Sequence, residues 1–433
     1  MADMVARIQC GWPEGDKRQI GHGGIMWPLT MQDSTQTQDA ALRRTIFQLS
    51  LATFSSMTIQ RMCDPMLPEL AREFGVGLGQ AAAVIGWFAV VYGLAQIMYG
   101  PMSDRFGKYR VVTWTTLLSS IGCLGCALAP GLDQLVWARM LAASTAAAIV
   151  PISMAWVGDA VRYEVRQEYL ARLGMGSTMG IFGGQVIGGV FADTLGWRWA
   201  FVMMGLFFLW VGALLLRRHQ MASRLVPAHT DDGQTTLSFP RKVWQVLQQA
   251  RARVVLGTVL LEGASAFGVV ALGASHLHDK HGISLTLAGI AISMFGLGGV
   301  AYAMTARHFI RRLGERGMVR IGTMMFGVAF VLIALTPVWQ WAIAASFISG
   351  FGFFMFHNTL QVLATQMHPP QRATCMSMFA GTLFTGQSVG VIIAASLVAT
   401  LGTTWVISLG AALVIVMGQC IPFLLKRTHT KTP

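Results

Sequence analysis

Long apolar runs separated by short polar stretches organise this chain. Twelve such runs lie near residues 46–67, 82–102, 111–130, 134–156, 169–191, 198–216, 254–276, 286–306, 318–336, 339–365, 373–398 and 404–425. A helix needs about 20 apolar residues to cross a hydrocarbon core of ~30 Å, and every run approaches or exceeds that length. Membrane strands would alternate apolar and polar positions and close into a barrel, whereas these runs are continuous. The pattern therefore predicts an all-α membrane protein with 12 transmembrane helices.

The polar stretches divide the runs six and six. Residues 1–42 contain no apolar run long enough for a signal peptide and read as a disordered tail, with residues 1–30 a possible extension ahead of the more typical start at Met31. Residues 43–216 form the first set of six helices, 217–253 a linker with Pro227, Gly233 and Pro240, 254–427 the second set, and 428–433 a short tail. Within the linker, Arg241–Arg253 mixes basic residues with Val243, Trp244, Val246 and Leu247, the pattern of an interfacial amphipathic helix. An internal repeat supports the division. Arg166, Gly180 and Gly184 recur with the same spacing as Arg372, Gly386 and Gly390, at an offset of 206 residues.

Composition agrees with the pattern: 54% of residues are hydrophobic and 12% charged, against roughly a quarter charged in soluble proteins. The net charge of +13 would suit a nucleic-acid partner if it were clustered on one domain. Instead the basic residues fall between runs and alternate in side, with Arg43, Arg105, Lys108, Arg166, Arg217 and Arg312 on one side of the threading and only Arg72, Arg198 and Lys280 on the other. The positive-inside bias then places both termini and the linker in the cytoplasm, and excludes nucleic acid as the explanation of the charge. Six scattered cysteines give no disulfide framework; Cys123 and Cys126 sit inside an apolar run without His or acidic company and read as packing residues. Neither a metal nor a cofactor is expected.

Between the second and third runs the chain reads Gly-Pro-Met-Ser-Asp-Arg-Phe-Gly-Lys-Tyr-Arg, residues 100–110. Gly100, Asp104, Arg105, Gly107 and Arg110, in this order and spacing, resemble the loop between helices 2 and 3 of the major facilitator superfamily. That resemblance implies two pseudo-symmetric six-helix bundles rocking about a central cavity, with this loop as a latch that forms when the inner side shuts and breaks when it opens. Gly100 would permit close helix approach, Gly107 a tight turn, and Asp104 a pairing with basic residues or a helix N-terminus. At an offset of 207 the loop maps onto Arg307–Gly314, where Arg307 replaces Gly100 and Arg311 replaces Asp104.

The fifth run carries Gly176, Gly180, Gly184, Gly188 and Gly189. This stripe resembles the antiporter signature GxxxGPxxGG, except that Gln185 stands where the family usually has Pro. Glycine stripes also serve plain helix packing. The following Gly-Trp-Arg-Trp-Ala-Phe, residues 196–201, is similar to the start of helix 6 in drug-efflux relatives.

Charge inside an apolar run points most directly to a site, since an ionisable group there costs ~2.5–3.5 kcal/mol on insertion scales. Arg61 and Asp64 lie one turn apart near the end of the first run, Arg139 lies at a matching depth in the fourth, and Glu262 lies in the seventh. Arg139 also resembles the helix-4 arginine that the family associates with proton coupling. Asp64 and Glu262 are the expected proton carriers, with Arg61 and Arg139 as cationic partners. Pro65 and Pro68 end the first helix near Asp64, which leaves a water-boundary position open for it. His357 and Asn358 in the tenth run, and Gln48, Gln60, Gln96, Gln185 and Gln387, add polar atoms to the pathway.

The expectation is a secondary-active transporter, most like the drug:proton antiporters and metabolite exporters, with a small-molecule substrate and protons as its partners and the lipid bilayer as its solvent. A monomer in a bacterial inner membrane is expected. Import or uniport of a metabolite is the alternative, and a receptor on a transporter scaffold a remote one. An enzyme is not expected, because HExxH, GxSxG, P-loop and paired-acid patterns are all missing from the sequence.

Overall fold

The computed structural model describes residues 29–161, 163–224, 239–368 and 371–429, all helix or short turn. Contacts separate residues 1–41 from a second unit, 42–433. The helices are α1 (Leu29–Arg61), α2 (Leu67–Phe74), α3 (Leu78–Ala81), α4 (Ala83–Phe106), α5 (Lys108–Ala127), α6 (Leu132–Ala146) and α7 (Ile149–Ala160). They continue as α8 (Tyr163–Asp193), α9 (Trp197–Arg224), α10 (Phe239–Gln248), α11 (Ala250–His281), α12 (Leu285–Leu335), α13 (Trp341–Thr365) and α14 (Arg372–His429). Seven stretches are long and apolar enough to cross a bilayer by composition alone. Two of them double back, α12 at Gly314 (φ 60°) and α14 at Gly402 (φ 75°). With α1, α5 and α8, which carry more hydroxyl, glycine or charged residues, the crossings number twelve.

Several boundaries differ from the sequence expectation. Residues 29–42, expected to be irregular, are helical from Leu29 onward, and α9 runs past residue 216 to Arg224. The fourth run is two helices, α6 and α7, joined at Ala147 and Ala148. The amphipathic segment is a helix over Phe239–Gln248, with Val246 buried and Trp244 exposed, while Arg251 and Arg253 already belong to α11. Residues 1–28, 225–238 and 430–433 lie outside the described residues.

Repetition is visible in the backbone. Sharp reversals need a positive φ that glycine adopts without a Cβ clash, and these glycines come in repeat-related pairs: Gly75 with Gly282, Gly107 with Gly314, and Gly196 with Gly402. The packing repeats as well. A Cβ on Gly180 would sit 2.4 Å from the Phe54 carbonyl oxygen and one on Gly386 2.2 Å from that of Leu260. Gly184 meets Thr58 (2.6 Å) as Gly390 meets Ala264 (1.9 Å), each pair displaced by the same 206 residues. Helix pair α1/α8 is thus copied as α11/α14, and the core falls into two main clusters, one per half.

The halves touch along two seams, α8 against α12 and α4 against α14. In the first, a Cβ on Gly189 would come 2.4 Å from Leu285 O, and one on Gly289 2.5 Å from Gln185 O. In the second, a Cβ on Gly79 of the adjoining α3 would come 3.1 Å from Ala395 O, the repeat-related contact, and one on Gly93 2.7 Å from Phe384. Both tight ends lie on the face that carries α2 and few charges. Towards the other, basic face the seams part: Gly100 and Gly174 meet nothing within 4 Å, and a cavity of about 340 Å³ opens between Gly93, Ile97, Met378 and Gly381.

Candidate transport pathway

Helix α1 stops at Arg61, three residues before Asp64 and four before Pro65, whose missing N–H cannot continue the ladder. The turn that follows does not leave Asp64 at the water boundary: Asp64 is fully buried. Its Oδ2 accepts from Gln185 Nε2 at 2.9 Å and lies 3.6 Å from Arg61 Nη1, while Oδ1 has no partner. Gln185 reaches Asp64 from α8 and turns its backbone carbonyl toward Gly289 of the other half. The residue that departs from the family signature therefore supplies the hydrogen bond to this acid.

Arg139 is buried but is not the partner of Asp64 that its depth suggested. The end of α1 leaves the Ile59 carbonyl without its ladder donor, and Arg139 Nη1 donates to it at 2.7 Å, with Nε donating to Val84 O at 3.3 Å. Its guanidinium lies 4.0 Å from the Phe88 ring centroid. Those contacts hold the broken end of α1 against the start of α4.

Arg61 faces the other half. Its guanidinium stacks 4.3 Å from the ring of Phe267 on α11, a residue 206 positions away and hence its own repeat mate. Phe267 packs on Phe353 of α13 at 5.3 Å, and Phe353 stacks on His357 at 5.3 Å with ring planes 11° apart. His357 Nδ1 lies 2.7 Å from Glu262 Oε1; Glu262 is fully buried and its Oε2 has no partner. A continuous chain, Asp64, Arg61, Phe267, Phe353, His357, Glu262, thus runs from the acid of one half to the acid of the other. Sequence reasoning named both ends and missed the aromatic middle, because Phe in an apolar run carries no signal of its own. Asn358 does not join this chain and instead lies beside the hydroxyl of Tyr302 on α12. Gln96 similarly lies beside Tyr92, whose hydroxyl is hydrogen-bonded with Ser56 and whose ring sits 4.7 Å from Phe384 across the second seam.

The motif residues sort differently. Gly176, Gly180, Gly184 and Gly188 face backbone of α1 and the turn after it, inside one half; only Gly189 faces the other half. The stripe thus packs α8 on α1 over most of its length. In the loop, Gly107 makes the expected turn (φ 89°), but Gly100 makes no close approach. Asp104, Arg105 and Arg110 are exposed, and Asp104 forms no ion pair among the described residues, while neighbouring Lys108 pairs with Asp159. Trp197 and Arg198 are tied to Glu73 of α2, the Trp197 Nε1 donating at 2.5 Å, so that motif fastens the start of α9 within its own half.

Asp193, at the end of α8, was not anticipated. Its carboxylate accepts from the N–H groups of Leu285 (3.1 Å) and Thr286 (2.5 Å), the first residues of α12, and so caps a helix of the opposite half. Its repeat-related position is Ala399, so the other seam has no such cap. Hydrogen bonds to a charged group are each worth ~1.5–3 kcal/mol, reduced here by exposure. Asp193→Ala should shift the protein about tenfold towards the state in which this seam is open, with Asp193→Asn in between. Distances between spin labels at positions Thr194 and Leu287 measure that shift, and unchanged distances would remove Asp193 from the closing contact.

A twelve-helix membrane bundle in two repeat-related halves, with buried charge near where the halves meet, has the architecture of a secondary transporter. The chain belongs to the Major Facilitator Superfamily, whose family model matches residues 49–365 and 254–433. It is 23% identical over 409 residues to the multidrug export protein EmrB of Escherichia coli K12, covering 82% of this chain and 80% of that protein. To the uncharacterized MFS-type transporter YwfA of Bacillus subtilis it is 23% identical over 293 residues, 67% of this chain and 68% of that one. Among solved structures it resembles a bacterial homolog of the lysosomal transporter Spinster, inward-facing and unoccupied, with a TM-score of 0.72 at 16% identity, covering 90% and 98% of the two chains. The nucleoside transporter NupG gives a TM-score of 0.71 at 13% identity, covering 88% and 99%.

Proposed function

We propose that this protein is a proton-coupled exporter of a small organic compound. The observation that carries the reading is the pairing of fully buried Glu262 with His357, linked through stacked aromatic rings and Arg61 to fully buried Asp64. A carboxyl group in such a place takes up a proton when its cationic partner moves away and releases it when the partner returns. Arg61 touches both Asp64 and a ring of the opposite half, so rocking of the halves changes its position relative to the acid.

In this reading the basic face is cytoplasmic, the membrane is a bacterial inner membrane and the protein acts as a monomer. The conformation described is then inward-facing, sealed outside by the two seams and by Asp193. Asp104, unpaired and exposed, is the latch in its released state, and it acts in the first half alone because Arg311 occupies the related position. Similarity to EmrB supports export of drug-like compounds. Gln185 in place of Pro, and a glycine stripe occupied mainly with packing on α1, favour a second reading in which the protein is a uniporter or importer.

Proteoliposomes loaded with candidate compounds and given an imposed pH gradient test the assignment. Export coupling requires uphill movement of a compound against the proton flow. Downhill movement that ignores the gradient would select uniport, and movement in the direction of the protons would select import.

A further inference from the structure

The arm of α12 before Gly314 ends in a concentration of positive charge whose position on the helix is informative. Leu287, Ile290, Met294, Leu297, Ala301 and Met304 follow one another at steps of three and four and are partly or fully exposed. Such spacing defines one helical face. The rest of the circumference is occupied: Gly299 packs against Phe354 and Tyr302 against Phe351 on α13, and Gly289 and Gly296 lie against Gln185 and Phe182 of α8. An exposed stripe of apolar residues on a transmembrane helix faces lipid.

One turn further along the same stripe the residues become His308, Arg311 and Arg312. Together with Arg307, Thr305 and Met304, these line an open hollow of about 710 Å³. Arg307, His308, Arg311 and Arg312 are exposed, and none forms an ion pair or hydrogen bond with another described residue. Arg316 and Arg320 follow, against Glu315 as the one acid between residues 301 and 320. Met304 at 83% and Ile310 at 54% exposure leave apolar surface beside the cations. Positive-inside bias accounts for basic residues in a loop. It does not account for a basic hollow that continues a lipid-facing stripe with no counter-charge among the described residues.

We propose that this hollow binds the phosphate headgroup of an anionic phospholipid in the adjoining leaflet, with Arg307, His308, Arg311 and Arg312 around the phosphate and an acyl chain along Met304 and Leu297. Basic pockets at the headgroup level of transmembrane helices suit such lipids, and arginine's fork matches phosphate oxygens. The site is peculiar to the second half, because the related positions of Arg307 and Arg311 are Gly100 and Asp104. The assignment does not depend on the direction or coupling of transport.

The test uses the full-length protein in nanodiscs with equal amounts of phosphatidylglycerol and phosphatidylcholine, followed by native mass spectrometry of the lipids retained. The wild type should retain phosphatidylglycerol selectively. The double variant Arg311→Gln/Arg312→Gln should lose that selectivity about thirtyfold, at roughly fivefold per cation, whereas Arg311→Lys/Arg312→Lys should keep most of it. Neutralising Arg241 and Lys242 on α10 should change little. Selectivity unaltered in the Gln double variant would overturn the proposal, and so would an equal loss on neutralising Arg241 and Lys242, which would mark a general effect of charge. Displacement of the lipid by inorganic phosphate at constant ionic strength would assign the hollow to a soluble anion and likewise overturn it.

Discussion

Glu262→Gln is expected to abolish proton-driven transport while leaving substrate exchange across the membrane measurable. Glu262 is fully buried, its one polar partner among the described residues is His357 Nδ1 at 2.7 Å, and its second oxygen has no partner among them. Gln matches the carboxyl group in size and keeps an oxygen at the same place, so the change removes the titratable proton with little change of packing. Each pH unit is worth ~1.36 kcal/mol per proton, so a gradient of two units can support about a 100-fold substrate gradient at one proton per cycle. In vesicles the wild type should approach such accumulation, and the variant should stop at equal concentrations on both sides. Counterflow of labelled against unlabelled substrate should continue, because neither direction of exchange needs net proton movement. Undiminished accumulation by the variant would shift proton carriage to Asp64, and the same measurement on Asp64→Asn decides between the acids.

Under the proposed proton coupling, the aromatic link would let two such acids act in one cycle. Phe267, Phe353 and His357 come from α11 and α13, and Arg61 from α1, so the stack crosses between halves. In the proposed cycle, rocking of the halves would move Phe267 relative to Arg61, and the guanidinium would then either stay on the ring or turn fully to Asp64. A contact that both acids sense through two discrete arrangements is the physical requirement for coupling between them.

Much of this architecture was legible in the chain because bilayer thickness imposes a length, and the repeat imposes a spacing, that survive in a single sequence. Twelve runs and the pairing of Gly180 with Gly386 follow from those two constraints. Charged residues were legible for the same energetic reason: an acid such as Glu262 inside an apolar run is too costly to be incidental. Which partner each charge finds was not legible. Arg139 and Asp64 lie at similar depths, yet Arg139 spends one donor on the Ile59 carbonyl, left open because α1 breaks at Arg61, and another on Val84 O of α4. Likewise Gln185 looked like a lost proline and is a hydrogen-bond donor to Asp64. Asp193 gave no signal because a carboxylate near a helix end is common in any sequence, and only the fold brings it to the first N–H groups of α12.

Gly189 is the glycine of the α8 stripe whose substitution should change the conformation of the whole protein. Gly176, Gly180, Gly184 and Gly188 face α1 and the turn after it inside one half, so side chains there strain a packed helix pair. Gly180→Ala, with its Cβ 2.4 Å from Phe54 O, should lower yield and thermal stability without altering the distance between halves. Gly189→Ala places a Cβ 2.4 Å from Leu285 O, on the far side of the seam that Asp193 caps. The clash exists only while that seam is closed. Overpacking of this kind costs ~1–3 kcal/mol, which corresponds to a shift of about 5–150-fold between the two conformations. Labels at Thr194 and Leu287 should therefore move apart in Gly189→Ala, and further in Gly189→Leu, while transport slows as the closed-seam state becomes scarce. A Gly189→Leu protein that folds and retains the wild-type label distance would show that α12 slides past the added side chain. The seam would then not be what holds this face shut, and closure would rest on the repeat-related contact of Gly79 with Ala395.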